Sequence, residues 1–206
     1  EATDLATLIY TSGTTGQPKG VMLTHQNISS NVLAGLPTLG ALKNQEESIL
    51  TFLPMTHIFA RTLTIGHVAW GQSLYFTDPD RLVAHLAEVQ PTMFSTVPRV
   101  LEKVYDKVSL GVAEASGLKH KIGTWALALA KQWDLAKMDG GVSGWQHALA
   151  DKLVYSKLRE KLGLTRVKTV ATGGAALRAD LAQSFTAFGV PIVQGYGLTE
   201  TSPIIT

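Results

Sequence analysis

The 206-residue chain contains no cysteine. That excludes disulfides, thiolate metal sites and a cysteine nucleophile, and it is compatible with a reducing, cytoplasmic setting. No apolar run reaches the roughly 18 residues that a membrane-spanning helix needs. The first residues carry no basic segment ahead of an apolar one, so they do not read as a signal peptide. Charge of one sign is lacking too. Eighteen Lys and Arg stand against sixteen Asp and Glu, a net +2, and nothing points to a nucleic-acid surface. Gly-x-Ser-x-Gly is absent, which removes support for a hydrolase serine elbow. The histidines show no metal-ligand spacing. There is no internal repeat and no low-complexity segment.

What is present suits a globular protein: 45% of residues are hydrophobic and 17% charged, enough to bury a full core as one large domain or two small ones. The densest chemistry lies at residues 11–20, Thr11-Ser12-Gly13-Thr14-Thr15-Gly16-Gln17-Pro18-Lys19-Gly20. Four hydroxyls and three glycines precede or flank one lysine. Ala6-Thr7-Leu8-Ile9-Tyr10 just before it reads as a buried strand. A strand that runs into such a loop presents N–H groups, hydroxyls and a mobile cation to an anion. It is not the Walker loop, because Pro18 precedes and Gly20 follows Lys19, and Gly-x-Gly-x-x-Gly does not occur.

Further along, residues 21–23 read as a short strand. Thr24 is a candidate N-cap for a helix over 25–36, with Ile28, Val32, Leu33 and Leu36 inward and Pro37 ending it. Residues 43–47 read as a polar loop and 48–53 as a strand. Pro54-Met55-Thr56-His57-Ile58-Phe59-Ala60-Arg61 is a constrained loop before an apolar helix over 62–70. A strand at 73–76 follows. A helix over 81–89, capped by Asp78 or Asp80, turns Leu82, Val83, Leu86 and Val89 inward. A strand at 92–97 precedes a helix that Pro98 opens. Residues 118–138 read as one long helix with Leu118, Ile122, Trp125, Leu129 and Trp133 on one face. A second amphipathic helix starts at Trp145. Together they form a helical insertion over about 109–163, read as structural. Strands at 166–171 and 191–194 frame a helix around Leu181, Phe185 and Phe188.

Strands alternating with helices predict an α/β layered fold of mostly parallel strands flanked by helices, with right-handed crossovers. Ligands then sit beyond the C-terminal strand ends. Four unusual loops follow predicted strands: 11–20, 54–61, Thr172-Gly173-Gly174-Ala175-Ala176-Leu177, and Gly195-Tyr196-Gly197-Leu198-Thr199-Glu200-Thr201. In the last, Tyr196 can lie against a purine, Thr199 can donate to a phosphate oxygen and Glu200 can hold Mg²⁺. The same residues also suit a helix N-terminus, with Thr199 capping and Glu200 facing the dipole. His57 reads equally as a satisfied loop histidine. Arg61 and Arg99 read as solvated arginines or members of structural ion pairs.

Residues 11–20 and 195–201 resemble the two nucleotide segments of adenylate-forming enzymes: acyl-CoA synthetases, luciferases and peptide-synthetase adenylation domains. Leu53-Pro54-Met55-Thr56-His57-Ile58-Phe59-Ala60-Arg61 and Val97-Pro98-Arg99-Val100-Leu101-Glu102-Lys103-Val104 look most like long-chain fatty acyl-CoA synthetases. The resemblance covers nearly the whole chain and implies part of the large N-terminal, AMP-binding domain. The small C-terminal domain with its lysine, the hinge and the ribose-binding aspartate would lie beyond Thr206, and both ends look cut from a longer chain. It implies ATP, Mg²⁺ and coenzyme A as cofactors and co-substrates, a fatty acid as substrate and no nucleic acid, with peripheral membrane contact left open. It implies that Thr11, Ser12, Gly13, Thr14, Thr15, Gly16 and Lys19 face the β- and γ-phosphates. Gly173, Gly174, Ala175, Tyr196 and Gly197 would border the nucleotide. Thr199 would meet the α-phosphate, Glu200 the magnesium, and His57 the reacting carboxylate. The peptide-synthetase members pair the substrate amine with an aspartate near the pocket; residues 54–70 hold no acidic side chain, so the resemblance favours a substrate without an α-amine. The alternatives are an aryl or luciferase-like acid ligase and a non-catalytic nucleotide-binding module.

Overall fold

A computed structural model describes residues 1–12, 17–39, 46–137 and 140–205. The expectations for Gly13, Thr14, Thr15 and Gly16, and the parts of the polar loop and long helix at residues 43–45 and 138, lie outside the described residues.

Five parallel strands form the centre: β3 (Ser48–Thr51), β4 (Ser73–Phe76), β5 (Met93–Thr96), β6 (Thr169–Thr172) and β7 (Ile192–Gln194), in the order β4-β3-β5-β6-β7. Successive strand side chains point to opposite faces. Ile49, Met93 and Ala171 therefore join Leu36, Leu39 and Leu63 on one side, while Leu50, Phe94 and Val170 join Leu86, Leu101, Phe185 and Phe188 on the other. Both faces are covered by helices, so β5 and β6 are buried along their whole length. The order reverses between β3 and β5, and in a doubly wound sheet the ligand crevice opens outside the carboxyl ends near such a reversal.

The mostly parallel expectation holds for the central sheet, and the correction concerns the reading of residues 11–20 as a loop. β1 (Leu5–Ser12) and β2 (Pro18–Thr24) form a separate antiparallel hairpin in which Thr11 pairs with Lys19 and Ser12 with Pro18. Parallel neighbours need a crossover of a dozen or so residues, and residues 13–17 are too few. Thr11, Ser12, Lys19 and Gly20 are thus strand residues. Ile9 and Leu23 on the inner face pack against Ile58.

Thr24 caps α1 (His25–Gly35) as expected: its hydroxyl accepts from Asn27 N–H at 3.2 Å while the Asn27 side chain accepts from Thr24 N–H at 3.0 Å. Ile28 and Val32 are buried but Leu33 is 70% exposed. The contact stripe is set by α2 (Ile58–Ala69), which begins four residues earlier than expected and crosses α1 at Gly66. A Cβ at Gly66 would lie 2.7 Å from Leu36 and 3.1 Å from Val32, so the helices meet along Ile28, Val32 and Gly35 and turn Leu33 outward. After Gly35 the chain tightens into a 3₁₀ turn, Leu36–Leu39, that contains Pro37. In α3 (Leu82–Val89) Val83 likewise faces out, and Asp78 accepts from Arg81 N–H ahead of the helix.

α4 (Pro98–Ala113) opens on Pro98 as expected. α5 (Gly117–Ala130) stops well short of residue 138. The Asp134 carboxylate accepts from Ala136 N–H at 2.9 Å and Asp134 N–H bonds Gly140 O at 2.8 Å; such local bonds compete with helix continuation. Leu118, at the open end of α5, is exposed, and the buried face is Gly123, Ala126, Leu129 and Ala130. α6 (Gly144–Ala150) continues through a π turn, Asp151–Tyr155, into α7 (Ser156–Leu162). Tyr155 is fully buried in the core of the sheet's second face, its hydroxyl donating to Ala126 O at 2.6 Å. Burial, reinforced by Asp151, pushes the phenol up to about 12. α8 (Ala179–Ala187) supplies Leu181 and Phe185 to the same core; each large apolar side chain buried there contributes about 2–3 kcal/mol.

His67, in the last turn of α2, is buried with Nδ1 at 2.6 Å from the Gln72 side-chain oxygen. Burial lowers its pKa below 6.5, partly offset by that bond. Below pH 6.5 the unfolded chain takes up a proton that the folded chain resists, so this contribution is complete above 6.5 and is lost as the pH falls. The expected acid limb is at most about 1.4 kcal/mol per pH unit. Urea midpoints from pH 7 to pH 5 should fall less steeply in His67→Met; an unchanged slope refutes the assignment.

Candidate functional site

A cavity of about 440 Å³ lies beyond the carboxyl ends of the sheet. Its walls come from four segments far apart in sequence. Thr11, Ser12 and Lys19 enter from the hairpin, His57 and Phe59 from the start of α2, Gly173 and Gly174 from the end of β6, and Gly195, Tyr196, Gly197, Thr199 and Glu200 from the segment after β7. Three of the four predicted loops follow parallel strands, and the hairpin reaches the same place from outside the sheet.

The β6 end needs small residues. Gly195 N–H bonds Thr172 O at 2.9 Å, which draws the two strand ends together. A Cβ on Gly173 would lie 3.3 Å from Gly195 O and 3.6 Å from the Phe59 ring. Gly174 has φ +81° with open space around it. A bare backbone edge therefore faces the cavity, suited to a flat ring. Ala175 does not line the cavity; it is exposed, and its carbonyl accepts from the Gln194 side chain at 3.4 Å.

His57 holds the N-cap position of α2 with extended backbone and an exposed ring. Its N–H donates to Pro54 O at 2.9 Å and its carbonyl accepts from Arg61 N–H at 3.1 Å, so the loop is fixed while the imidazole stays at the cavity wall. Arg61 differs from both expectations for it. Its guanidinium has no carboxylate partner among the described residues; Nε donates to Met55 O at 3.0 Å and a terminal nitrogen to the Thr7 hydroxyl. It ties the hairpin to the His57 loop. Arg99 pairs with Glu102 at 3.7 Å on the α4 surface, away from the cavity.

Residues 196–205 fold back on themselves. Leu198 N–H bonds Pro203 O, Ile205 N–H bonds Tyr196 O, and Gly197 bridges Ile204. A Cβ at Gly197 would fall 1.6 Å from Pro203 O, so only glycine permits this closeness. The tip is a single 3₁₀ turn, Thr199–Thr201. Here the structure separates the two readings of these residues. No long helix begins, Leu198 occupies the cap position, and the Thr201 hydroxyl accepts from Leu198 N–H at 2.9 Å. The Thr199 and Glu200 side chains have no hydrogen-bond or ion-pair partner among the described residues and line the cavity. Tyr196, 61% exposed, lies on the same wall.

Among the described lining residues Lys19 is the one full cation and Glu200 the one carboxylate. Among the described residues no group of three or more His, Asp or Glu is placed to hold a metal ion by itself. A lone carboxylate suits a hard cation that keeps water and takes its other ligands from phosphate oxygens, as Mg²⁺ does. Pro203 and Ile204, which sequence reasoning did not single out, complete the floor; nothing in their composition marks them. No described helix is long and apolar enough to cross a membrane.

A family model described as "AMP-binding enzyme" matches residues 1–206. The chain is 40% identical over 204 residues to a long-chain-fatty-acid–CoA ligase, ACSBG2, of Xenopus laevis, covering 95% of this chain and 28% of that protein. It is 38% identical over 205 residues to the long-chain-fatty-acid–CoA ligase FadD15 of Mycobacterium tuberculosis, covering 98% and 34%. The chain thus spans about a third or less of these relatives. Among solved structures it is similar to a long-chain-fatty-acid-CoA ligase, FadD1, of Archaeoglobus fulgidus (TM-score 0.62, 21% identity, 98% of this chain and 33% of that one). It is also similar to o-succinylbenzoate CoA synthetase of Bacillus subtilis in complex with its acyl-adenylate intermediate (TM-score 0.63, 20% identity, 100% and 32%). At such identities the structural likeness establishes the fold.

Gly197→Ala should force the two arms of the 196–205 turn apart while sparing the core. Adenine-nucleotide affinity, measured by titration calorimetry, is expected to fall about tenfold or more with an unchanged far-UV circular dichroism spectrum. An unchanged dissociation constant would show that the turn is not a binding wall.

Proposed function

The chain belongs to the AMP-binding enzyme family, and from that premise we propose that it supplies the nucleotide-gripping part of a fatty acid–CoA ligase. The observation that carries this reading is the single cavity shared by the hairpin at 11–20 and the turn at 196–201. The names of the long-chain ligases at 38–40% identity favour a fatty acid as the acid partner. So does the lack of any acidic side chain over residues 54–70.

In the first half-reaction a fatty carboxylate oxygen attacks the α-phosphorus of ATP in line, and pyrophosphate leaves with its bonding electrons. In the second, the thiol sulfur of coenzyme A attacks the activated carbonyl carbon, the thiol proton is lost, and AMP leaves. Phosphoryl and adenylyl transfers ask mainly for positioning and charge neutralisation. Thr11, Ser12 and Lys19, with Gly13, Thr14, Thr15 and Gly16, hold the β- and γ-phosphates. Thr199 donates to the α-phosphate. Gly173 and Gly174 lie against the adenine and Tyr196 stacks on it. His57 orients the acyl carboxylate; it need not act as a base, because a carboxylate is already ionised at neutral pH.

The lining charges cannot neutralise a triphosphate, since Lys19 and Glu200 cancel. A divalent cation must arrive with the nucleotide, and Glu200 is the side chain that would hold it. Mg²⁺ bound there supplies charge neutralisation on the phosphates.

The test is pyrophosphate release from ATP, Mg²⁺ and palmitate by the full-length protein, with benzoate as competitor acid. Palmitate-dependent release supports the reading. A preference for benzoate favours an aryl ligase, and nucleotide binding without turnover favours a non-catalytic module; either overturns it. Glu200→Gln should lower kcat by about 10²-fold or more and raise the Mg²⁺ concentration for half-maximal rate; an unaltered Mg²⁺ dependence removes the metal role. Residues 1–206 alone are expected to make little or no acyl-adenylate, and a full-length rate from them would refute the need for further chain.

A further inference from the structure

We propose that Asn31, seconded by Thr62, is the positioning residue that sets the Thr199–Glu200 turn at its working height over the cavity. The inference deepens the ligase reading and rests on it. Neither residue belongs to a motif singled out from the sequence, and neither lines the cavity.

Asn31 lies on α1, partly buried. Its amide nitrogen donates to Ile204 O at 2.8 Å and to Thr201 O at 3.2 Å, and its amide oxygen accepts from Ile204 N–H at 3.2 Å. One side chain thus pairs with both backbone groups of Ile204, as a neighbouring strand would, and also holds the last residue of the 3₁₀ turn. Both of its N–H donors are used. Thr62, fully buried on α2, donates from its hydroxyl to Ser202 O at 3.1 Å. Two helices therefore grip the backbone at 201, 202 and 204 from beneath, while Thr199 and Glu200 remain unpaired above.

The grip has something to hold. Ser202 has φ +72°, a left-handed conformation that non-glycine residues rarely adopt, and it is buried. Such a residue persists only where its surroundings over-determine it. The spacing is equally constrained: a Cβ on Gly35, one turn beyond Asn31, would lie 2.7 Å from the Ile204 side chain. α1 and the turn are as close as they can be, and Asn31 sets their registration. Loss of its donors leaves two carbonyls without partners and lets the turn shift relative to the phosphates. A shift of that kind weakens Mg·ATP engagement and spares the acyl side.

Steady-state kinetics of the full-length protein test this, with pyrophosphate release as the readout. The parent's palmitate-dependent activity checks the ligase reading first, so its failure is told apart from failure of this proposal. In Asn31→Ala the KM for Mg·ATP is expected to rise about tenfold while the KM for palmitate changes less than about twofold. Asn31→Asp preserves volume but removes both donors, so it should behave like the alanine variant. Parent-like behaviour of Asn31→Asp would show that only space filling matters. Thr38→Ala is the control: Thr38 bonds Gly35 O at 2.6 Å from the same end of α1 and contacts neither the turn nor the cavity. It should leave both KM values unchanged. A rise of both KM values together in Asn31→Ala, or a rise matched by Thr38→Ala, would assign Asn31 to general stability and overturn the proposal.

Discussion

Every wall of the cavity rests on the first five residues of α2. Ile58 packs on Ile9 and Leu23 of the hairpin. Phe59 lies against Gly173 at the end of β6. Arg61 bonds the hairpin at Thr7 and the preceding loop at Met55. Thr62 bonds the last turn at Ser202. A helix advances about 100° per residue, so neighbouring side chains fan out in different directions. One short helical segment can thus touch three separate parts of the chain. His57, at the N-cap of the same helix, lines the same cavity. Nothing in the sheet alone would hold a separate antiparallel hairpin above its carboxyl ends. The helix end does so with an apolar contact and a guanidinium.

The charge pattern follows from the same economy of parts. Among the described residues the site is lined by one lysine and one carboxylate, and the rest is hydroxyls, glycine backbone, the His57 imidazole and apolar or aromatic side chains. Neutral donors do not repel each other when the ligand is absent, so the cavity stands open without a buried charge to compensate. Arg61 does not line the cavity and spends its donors on a carbonyl and a hydroxyl. A strongly basic cavity would hold a triphosphate and its products alike. On the proposed reading, a lining with no net charge favours the metal–nucleotide complex, in which the cation already offsets part of the phosphate charge.

Much of this was legible in the sequence, and the failures have physical causes. The parallel sheet followed from apolar runs bounded by glycine and proline, and Thr24 and Pro98 marked helix starts because their chemistry is local. The hairpin was hidden because residues 11–20 read as a loop by their glycines, whereas Thr11, Ser12, Lys19 and Gly20 continue the alternation of the strands on either side. Leu33, Val83 and Leu118 fit a helical stripe on spacing alone; which edge of a stripe is covered depends on where the partner helix crosses, and Gly66 decides that for Leu33. The long helix at 118–138 ended early because Asp134 makes bonds that a periodicity count does not register. Ala175 belonged to the quoted motif yet turned outward, one residue past the left-handed Gly174. Asn31 and Thr62 carried no signal at all, and Arg61, though inside the quoted 53–61 run, carried none for the contacts it makes. Their partners lie up to 173 positions away or are backbone atoms, which no side-chain pattern records.

The division between legible and hidden residues follows function. Groups that touch the proposed ligand sit in short, chemically dense motifs, because a phosphate needs several small donors within a few ångströms. Groups that hold those motifs in place are spread over α1 and α2, because each has only to reach one or two backbone atoms. A motif such as 195–201 is therefore incomplete as a description of the site. Its Ser202 neighbour occupies a conformation worth about 1–3 kcal/mol of strain, and the turn's own bonds, Leu198 to Pro203 and Ile205 to Tyr196, do not reach the Ser202 carbonyl. The remaining restraint comes from two helices that in sequence precede the motif by well over a hundred residues. Preorganisation of this kind keeps Thr199 and Glu200 unpaired while their backbone is fixed, which is what a group needs if it is to meet charge without first rearranging.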